Sequence, residues 1–101
     1  MELRHLRTFL ALSEELHFGR TADRLGLTQT AVSRQIGVLE QHLGVQLIVR
    51  RPRPILTDAG RLLAARVPPV LDAVDAAVRG ARRVAAAGGE SGPALPGGMT
   101  S

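Results

Sequence analysis

The chain has 101 residues, which allows one small domain with an appended helix and tail but leaves no room for a two-domain enzyme. All 13 basic residues are arginine, and the formal net charge of +4 favours an anionic partner, because guanidinium groups make forked hydrogen bonds to phosphates and base edges. Cysteine is absent and Phe9 and Phe18 are the only aromatic residues, which excludes a disulfide framework, a thiolate nucleophile and an RNA-binding platform of stacked rings. The sequence contains neither a signal peptide nor the roughly 18 consecutive apolar residues of a membrane span. We therefore expect a soluble protein of the cytoplasm.

The first part of the chain, residues 1–57, predicts three helices. Helical spacing of apolar residues predicts the first helix from Leu3 to Glu15. The stripe expected to face the core consists of Leu3, Leu6, Phe9 and Leu10. A short second helix follows within residues 20–27, and Gly26 is expected to end it in the left-handed conformation.

The third helix is predicted over residues 28–43. Thr28 suits its N-cap, and Gly44 is expected to stop it. Its apolar positions follow helical steps of four, three and four residues: Val32, Ile36, Leu39 and Leu43. The opposite face is polar or small throughout.

Two short β-prone runs, residues 45–49 and 55–57, come next. The segment between them contains Pro52 and Pro54, which cannot donate to a strand ladder, so a hairpin with a basic tip is predicted. We call this hairpin the wing.

A long last helix is predicted from residue 58 to residue 87, with Thr57 as its cap. Pro68 and Pro69 are expected to kink it or to split it in two, because each removes an interior hydrogen bond. The helix is longer than the small N-terminal body needs, which predicts a dimer formed through its apolar seam. That seam consists of Leu63, Val67, Leu71, Val74 and Val78. Residues 88–101 are rich in glycine and proline and are expected to be disordered.

A short helix, a glycine turn and a longer helix with a buried stripe form the pattern of a helix-turn-helix, whose second helix enters the major groove of DNA. The outward face of the third helix carries hydrogen-bonding side chains suited to base edges, among them Gln29, Ser33 and Arg34. The alternative interpretation of such a polar face, on any single amphipathic helix, is an ordinary solvated surface. The adjacent glycine turn, the basic wing and the positive charge together favour DNA binding.

The wing arginines are Arg50, Arg51 and Arg53. They would either keep an exposed loop soluble or neutralise phosphates and enter a narrow minor groove. We favour the second interpretation, because the hairpin directly follows the third helix.

No catalytic or metal site is predicted. His5, His17 and His42 do not have the spacing of metal ligands, and neither cysteine nor a carboxylate cluster accompanies them. We expect them to be surface or cap residues. No nucleophile elbow or glycine-rich phosphate loop is present, so we expect neither an enzyme nor a bound cofactor.

Four segments closely resemble the N-terminal DNA-binding domain of LysR-type bacterial transcriptional regulators. They are residues 16–25, 28–36, 39–45 and 56–60. The sequence departs from the usual family pattern at three positions: Thr21 stands where alanine is common, Thr30 where proline is common, and Ile48 where phenylalanine is common.

The resemblance implies a mainly α fold, a winged helix-turn-helix with three helices and a short β-hairpin, followed by a linker helix through which two protomers form a homodimer on double-stranded DNA. Carried over residue by residue, it places the DNA contacts at Thr28, Gln29, Thr30, Ser33, Arg34 and Arg50, and extends them to Arg51 and Arg53. Family members usually carry a C-terminal ligand-sensing domain after the linker helix. This chain has a tail rich in glycine and proline at that place, so no small-molecule effector site is expected in it.

Two other hypotheses stay open at this point. In the first hypothesis, the chain is an interaction module that heterodimerises with a full-length regulator and modulates it. Alternatively, it would be the DNA-binding part of a molybdate-responsive regulator, which shares the winged fold but matches less well in the linker region.

Overall fold

The computed structural model describes residues 1–88, which form four helices and one small hairpin. In chain order the elements are α1 (Leu3–Glu15), α2 (Phe18–Leu25), α3 (Gln29–Leu43), β1 (Ile48–Val49), β2 (Ile55–Leu56) and α4 (Asp58–Gly88). The mainly α architecture with a two-stranded hairpin and a long fourth helix is confirmed. The tail predicted to be disordered lies outside the described residues, apart from Gly88, which ends α4.

The three short helices begin and end where local chemistry allows it. The Thr28 hydroxyl oxygen accepts a hydrogen bond from the Ala31 backbone N–H at 3.0 Å, which caps α3 as predicted. Gly26 and Gly44 follow α2 and α3 with φ of 68° and 73°, a left-handed conformation that glycine adopts without steric cost. Both glycine stops are therefore confirmed.

The core lies where α1, α2, α3 and the hairpin meet. Its fully buried members are Phe9, Leu12, Ala22, Val32, Ile36, Leu39, Leu47 and Ile48. The predicted stripe of α3 is confirmed except at its end, since Leu43 is exposed. These contacts fix α3 with its apolar side inward.

The buried face of α1 differs from the predicted stripe. Of the four predicted residues only Phe9 is fully buried, and Leu3 keeps 41% of its surface exposed. The inward face instead includes His5 and Thr8. The Thr8 hydroxyl donates to Gln35 Oε1 on α3 at 2.6 Å, so a polar contact occupies this face, and a search for apolar periodicity misses it.

The hairpin is shorter than predicted. The strands pair antiparallel, with Ile48 opposite Leu56 and Val49 opposite Ile55. Val45 is exposed and lies outside the ladder. The basic tip between the strands matches the prediction, with a cis peptide bond between Arg51 and Pro52.

The start of α4 lies against β1. The Thr57 hydroxyl oxygen accepts from the Gly60 N–H at 3.0 Å, which confirms the predicted cap. A Cβ atom on Gly60 would lie 2.0 Å from the Leu47 carbonyl oxygen, so only glycine fits this contact. One compact unit therefore extends over Met1–Leu71, beyond the predicted boundary at residue 57.

The second unit is Asp72–Ser101, of which residues 72–88 are described as the later part of α4. Helix α4 continues through Pro68 and Pro69. The alternative of two separate helices is therefore wrong, because a single helix spans Asp58–Gly88 with both prolines inside it. The kink near residues 68–69 stays a prediction.

Two side chains of the predicted dimerisation seam are covered by their own chain. Val67 is 4% exposed and Leu71 is 5% exposed. Leu63 also packs against the core of its own protomer, whereas Val78 is exposed. The inward side of α4 therefore stabilises the first unit, and pairing of two copies through this seam stays a prediction.

Candidate nucleic-acid interface

The outward face of α3 presents hydrogen-bonding groups to solvent. Gln29, Thr30 and Arg34 are exposed, and Ser33 is half-buried. On the other side of the same helix, Val32 and Ile36 are fully buried in the core. The polar and apolar sides predicted from the sequence are therefore the sides observed.

The start of α3 is positioned by the turn from α2. The Leu27 N–H donates to the Ala22 carbonyl oxygen at 2.9 Å, which closes the turn around Gly26. The beginning of α2 approaches the same place, since a Cβ atom on Gly19 would lie 3.4 Å from Gln29 Nε2. The first turn of α3 is thus held at the surface, with the side chains of Gln29 and Thr30 exposed.

A concave surface joins this helix to the wing. The residues that line it are Phe18, Gln29, Thr30, Ser33, Arg34, Arg50, Arg51 and Pro52. The structure thus brings six of the eight predicted DNA-contacting residues to one surface. The remaining two, Thr28 and Arg53, are exposed but do not line the concavity.

Arg50 is held against α3 and does not extend freely from the wing. Its Nη1 donates to Ser33 Oγ at 2.6 Å, and its Nη2 donates to the Ser33 carbonyl oxygen at 3.4 Å. Nη2 also lies 3.6 Å from Glu40 Oε1, and the guanidinium carbon is 5.3 Å from the centre of the Phe18 ring. This one side chain connects the wing, α2 and α3.

Glu40 is a residue of this region that the sequence did not single out for a role. Its Oε2 accepts hydrogen bonds from the backbone N–H groups of Leu47 at 2.8 Å and Ile48 at 3.2 Å. The carboxylate therefore binds the entry of the wing to α3. Glu40 and Leu47 are seven positions apart in the sequence, so no local motif indicates the contact.

Several arginines outside the concavity are paired with acids. Arg24 contacts Glu14 at 2.7 Å and Glu15 at 3.3 Å, and these hydrogen bonds, with Glu14 the stronger cause, raise the pKa of Arg24. By contrast, Arg34, Arg51 and Arg53 have no acidic partner within residues 1–88. Uncompensated positive charge is therefore available on α3 and the wing.

The histidines divide into two kinds. His17 Nδ1 accepts from the Arg20 N–H at 2.9 Å and caps α2, as predicted, and His42 is exposed. The surface role expected for His5 is wrong: the side chain is buried, because it lies on the face of α1 that packs inward. Within residues 1–88 no three potential ligands come together for a metal ion.

No helix in the described part of the chain combines the length and the apolar character needed to cross a membrane.

Comparison with protein families finds a match to the bacterial regulatory helix-turn-helix proteins of the lysR family over residues 3–61. Among curated relatives, the HTH-type transcriptional regulator YnfL of Escherichia coli is 47% identical over 85 residues, which cover 83% of this chain and 29% of the relative. The regulator BenM of Acinetobacter baylyi is 43% identical over 86 residues, or 84% of this chain and 28% of BenM. The chain thus spans less than a third of the length of these relatives.

Solved structures give the same result for the fold. A complex of the BenM DNA-binding domain with catB site 1 DNA superposes with a TM-score of 0.79 at 39% identity and covers 93% of this chain and all of that domain. A complex of the CbnR DNA-binding domain with DNA has a TM-score of 0.79 at 32% identity, covering 84% of this chain and 99% of that one. The fold is therefore a winged helix-turn-helix.

Proposed function

The chain belongs to the LysR family of bacterial regulatory helix-turn-helix proteins, and on this premise we propose that it is a sequence-specific regulator of transcription that binds double-stranded DNA through α3. The observation that carries the proposal is the concave surface in which Gln29, Ser33 and Arg34 lie beside the wing. Related domains that share this fold have been solved in complex with DNA. The major groove admits a helix of this kind with its first turns against the bases.

The side chains on α3 suit direct readout. Arg34 can donate two hydrogen bonds to the O6 and N7 atoms of guanine, and Gln29 can pair with the N6 and N7 atoms of adenine. Thr28 and Thr30 flank the helix start, where backbone N–H groups and hydroxyls suit phosphate oxygens. The side chains of α3 thus combine contacts to bases with phosphate contacts that fix the position of the protein along the duplex.

The wing supplies positive charge beside the helix. Arg51 and Arg53 are exposed at the hairpin tip and have no acidic partner within residues 1–88. A guanidinium that neutralises a phosphate releases a condensed counterion, so each such contact adds about one to the salt dependence of binding. We assign these two residues to the DNA backbone.

The partner proposed for α4 is a second copy of the chain, and the face assigned to it differs from the predicted seam. Exposed apolar residues recur at helical spacing on another side of α4 within the first unit: Ala59, Leu62 and Val70. Leu62 is 57% exposed and Val70 is 53% exposed, whereas Val67 is covered within the protomer. The outward face is therefore the better candidate for pairing.

The alternatives lose support. Membership of the LysR family favours a LysR-type regulator over the molybdate-type hypothesis. The comparisons give no support to a module that acts only by heterodimerising. The relatives are named as transcriptional regulators, so we propose no enzymatic activity and no cofactor, and we place the protein in the cytoplasm with the nucleoid.

The test is a selection from a random duplex pool by the wild-type chain, followed by anisotropy titration of the selected and an unselected duplex. We expect at least a thousandfold preference for the selected duplex. Arg34→Ala is expected to cost about 1–3 kcal/mol on the selected duplex and to relax the choice of base at one position. The surface variant Arg83→Ala in α4 is the matched control. A wild-type chain that enriches no sequence would refute the proposal.

A further inference from the structure

We propose that Arg50 acts on DNA recognition through Ser33, as a positioning residue that fixes the Ser33 hydroxyl as a hydrogen-bond donor toward the bases. The inference rests on the proposed DNA-binding function. The other wing arginines contact phosphates in the proposed function, whereas this inference assigns Arg50 a different role. The evidence is the set of contacts that hold the Arg50 guanidinium in place.

The guanidinium is surrounded on three sides. It donates to Ser33 Oγ at 2.6 Å, lies 3.6 Å from the Glu40 carboxylate and stacks over Phe18 at 5.3 Å. The Arg50 side chain keeps 34% of its surface exposed, and that of Glu40 keeps 17%. Moving Arg50 to a phosphate would break a charge-assisted hydrogen bond, an ion pair and a cation–π contact together.

The charge of Arg50 is also compensated locally. Glu40 faces it, and the same carboxylate is fixed by two backbone N–H groups, from Leu47 and Ile48. An arginine paired in this way contributes little net positive potential toward a phosphate. Arg51 and Arg53 differ in this respect, since neither has an acidic partner within the part of the chain that the structure describes.

The consequence for Ser33 follows from hydrogen-bond chemistry. A guanidinium carries only donors, so Ser33 must accept in this contact. Its own O–H is then left to donate, and a neighbouring positive charge polarises it for that purpose. Acceptors in the major groove are guanine N7 and O6, adenine N7 and thymine O4. Ser33 is thereby directed to these atoms and away from the amino groups of cytosine and adenine.

The experiment measures binding of the full chain to two duplexes, one selected by the wild-type chain from a random pool and one unselected, from about 50 to 200 mM salt. We compare Arg50→Ala, Ser33→Ala and the double variant, with Arg53→Ala as a matched wing arginine. Arg50→Ala and Ser33→Ala are each expected to lower the preference for the selected duplex about tenfold, within the range for a base-reading group. The double variant is expected to lose no more than either single variant, because the two residues act as one unit.

The salt dependence separates positioning from phosphate contact. Arg50→Ala is expected to keep the wild-type slope of log affinity against log salt, whereas Arg53→Ala is expected to lower it by about one. Equal weakening on both duplexes with a reduced slope for Arg50→Ala, or additive losses in the double variant, would overturn the inference.

Arg50→Lys is a second variant, used in case Arg50→Ala fails to fold. Circular dichroism shows whether each variant is folded. Lysine keeps the charge but cannot fork between Ser33 and Glu40. We expect it to lose preference as Arg50→Ala does, and full retention of preference would refute the positioning role. A wild-type chain that selects no duplex would instead refute the proposed function, and the inference with it.

Discussion

At the scale of single residues, Glu40 shows how one carboxylate holds an element in place. Its two oxygens serve three groups: the N–H groups of Leu47 and Ile48 and the guanidinium of Arg50. Leu47 and Ile48 are buried in the core, so water cannot easily replace the carboxylate as their partner. The position of the wing relative to α3 therefore depends on this side chain.

We predict that Glu40→Ala lowers the free energy of unfolding by about 2–3 kcal/mol, because it leaves two buried N–H groups and Arg50 without their acceptor. Urea unfolding followed by circular dichroism measures the change. Glu14→Ala is the control, since Glu14 pairs with Arg24 at the surface and such pairs contribute less than about 1 kcal/mol. Equal losses in the two variants would contradict the role given to Glu40.

The sequence predicted exposed residues of α3 better than it predicted the contacts that fix them. Gln29 and Arg34 follow from helical periodicity, because a buried stripe determines which side chains point outward. The bonds of Glu40 and Arg50 cross from α3 to the wing. No periodicity within one element encodes a contact between two elements, so these partners could be found only from the fold.

At the scale of elements, α1 and α4 show why apolar patterns alone misplace a face. In α1 the inward side includes His5 and Thr8, and in α4 two different sides carry apolar residues. The pattern of α4 allowed either side to face a partner. The packing of Val67 and Leu71 within their own unit favours the side of Leu62 and Val70, which it leaves exposed.

We predict that Gly60→Ala lowers the free energy of unfolding by about 2 kcal/mol or more, because its Cβ would overlap the Leu47 carbonyl oxygen and push α4 from β1. Gly37→Ala is the matched control. A Cβ at Gly37 meets no atom within 4 Å, so the higher helix propensity of alanine is expected to stabilise the protein by up to about 1 kcal/mol. Thermal unfolding of both variants checks the sign, and a neutral Gly60→Ala would contradict the close contact.

At the scale of the whole molecule, charge and length support the same function. The net charge of +4 is the excess of 13 arginines over nine acidic residues, and acids pair with several arginines away from the α3 and wing surface. A single recognition helix reads few base pairs. Two copies on one duplex, with recognition helices about 34 Å or a multiple of that apart, would read a longer two-fold site. The face that joins the copies then determines the affinity of the regulator.

We predict that Val70→Asp dissociates the dimer, because it places a charge on the exposed apolar face of α4. Its affinity for a duplex with two half-sites is expected to fall about 100-fold, since binding of the second copy loses its high effective concentration. Affinity for a single half-site stays unchanged. Sedimentation and anisotropy measure the two effects.

The control for this face is Ala65→Asp, which adds the same charge to α4 about 140° around the helix from Val70, at roughly 100° per residue. Ala65 is exposed, so the variant is expected to remain a dimer with unchanged affinity for both duplexes. Val67→Ala distinguishes the two seams. It is expected to lower the free energy of unfolding of each protomer, because Val67 is buried there, but the variant is still expected to sediment as a dimer. If Val67→Ala yields folded monomers and Val70→Asp does not, the seam first predicted from the sequence is the interface.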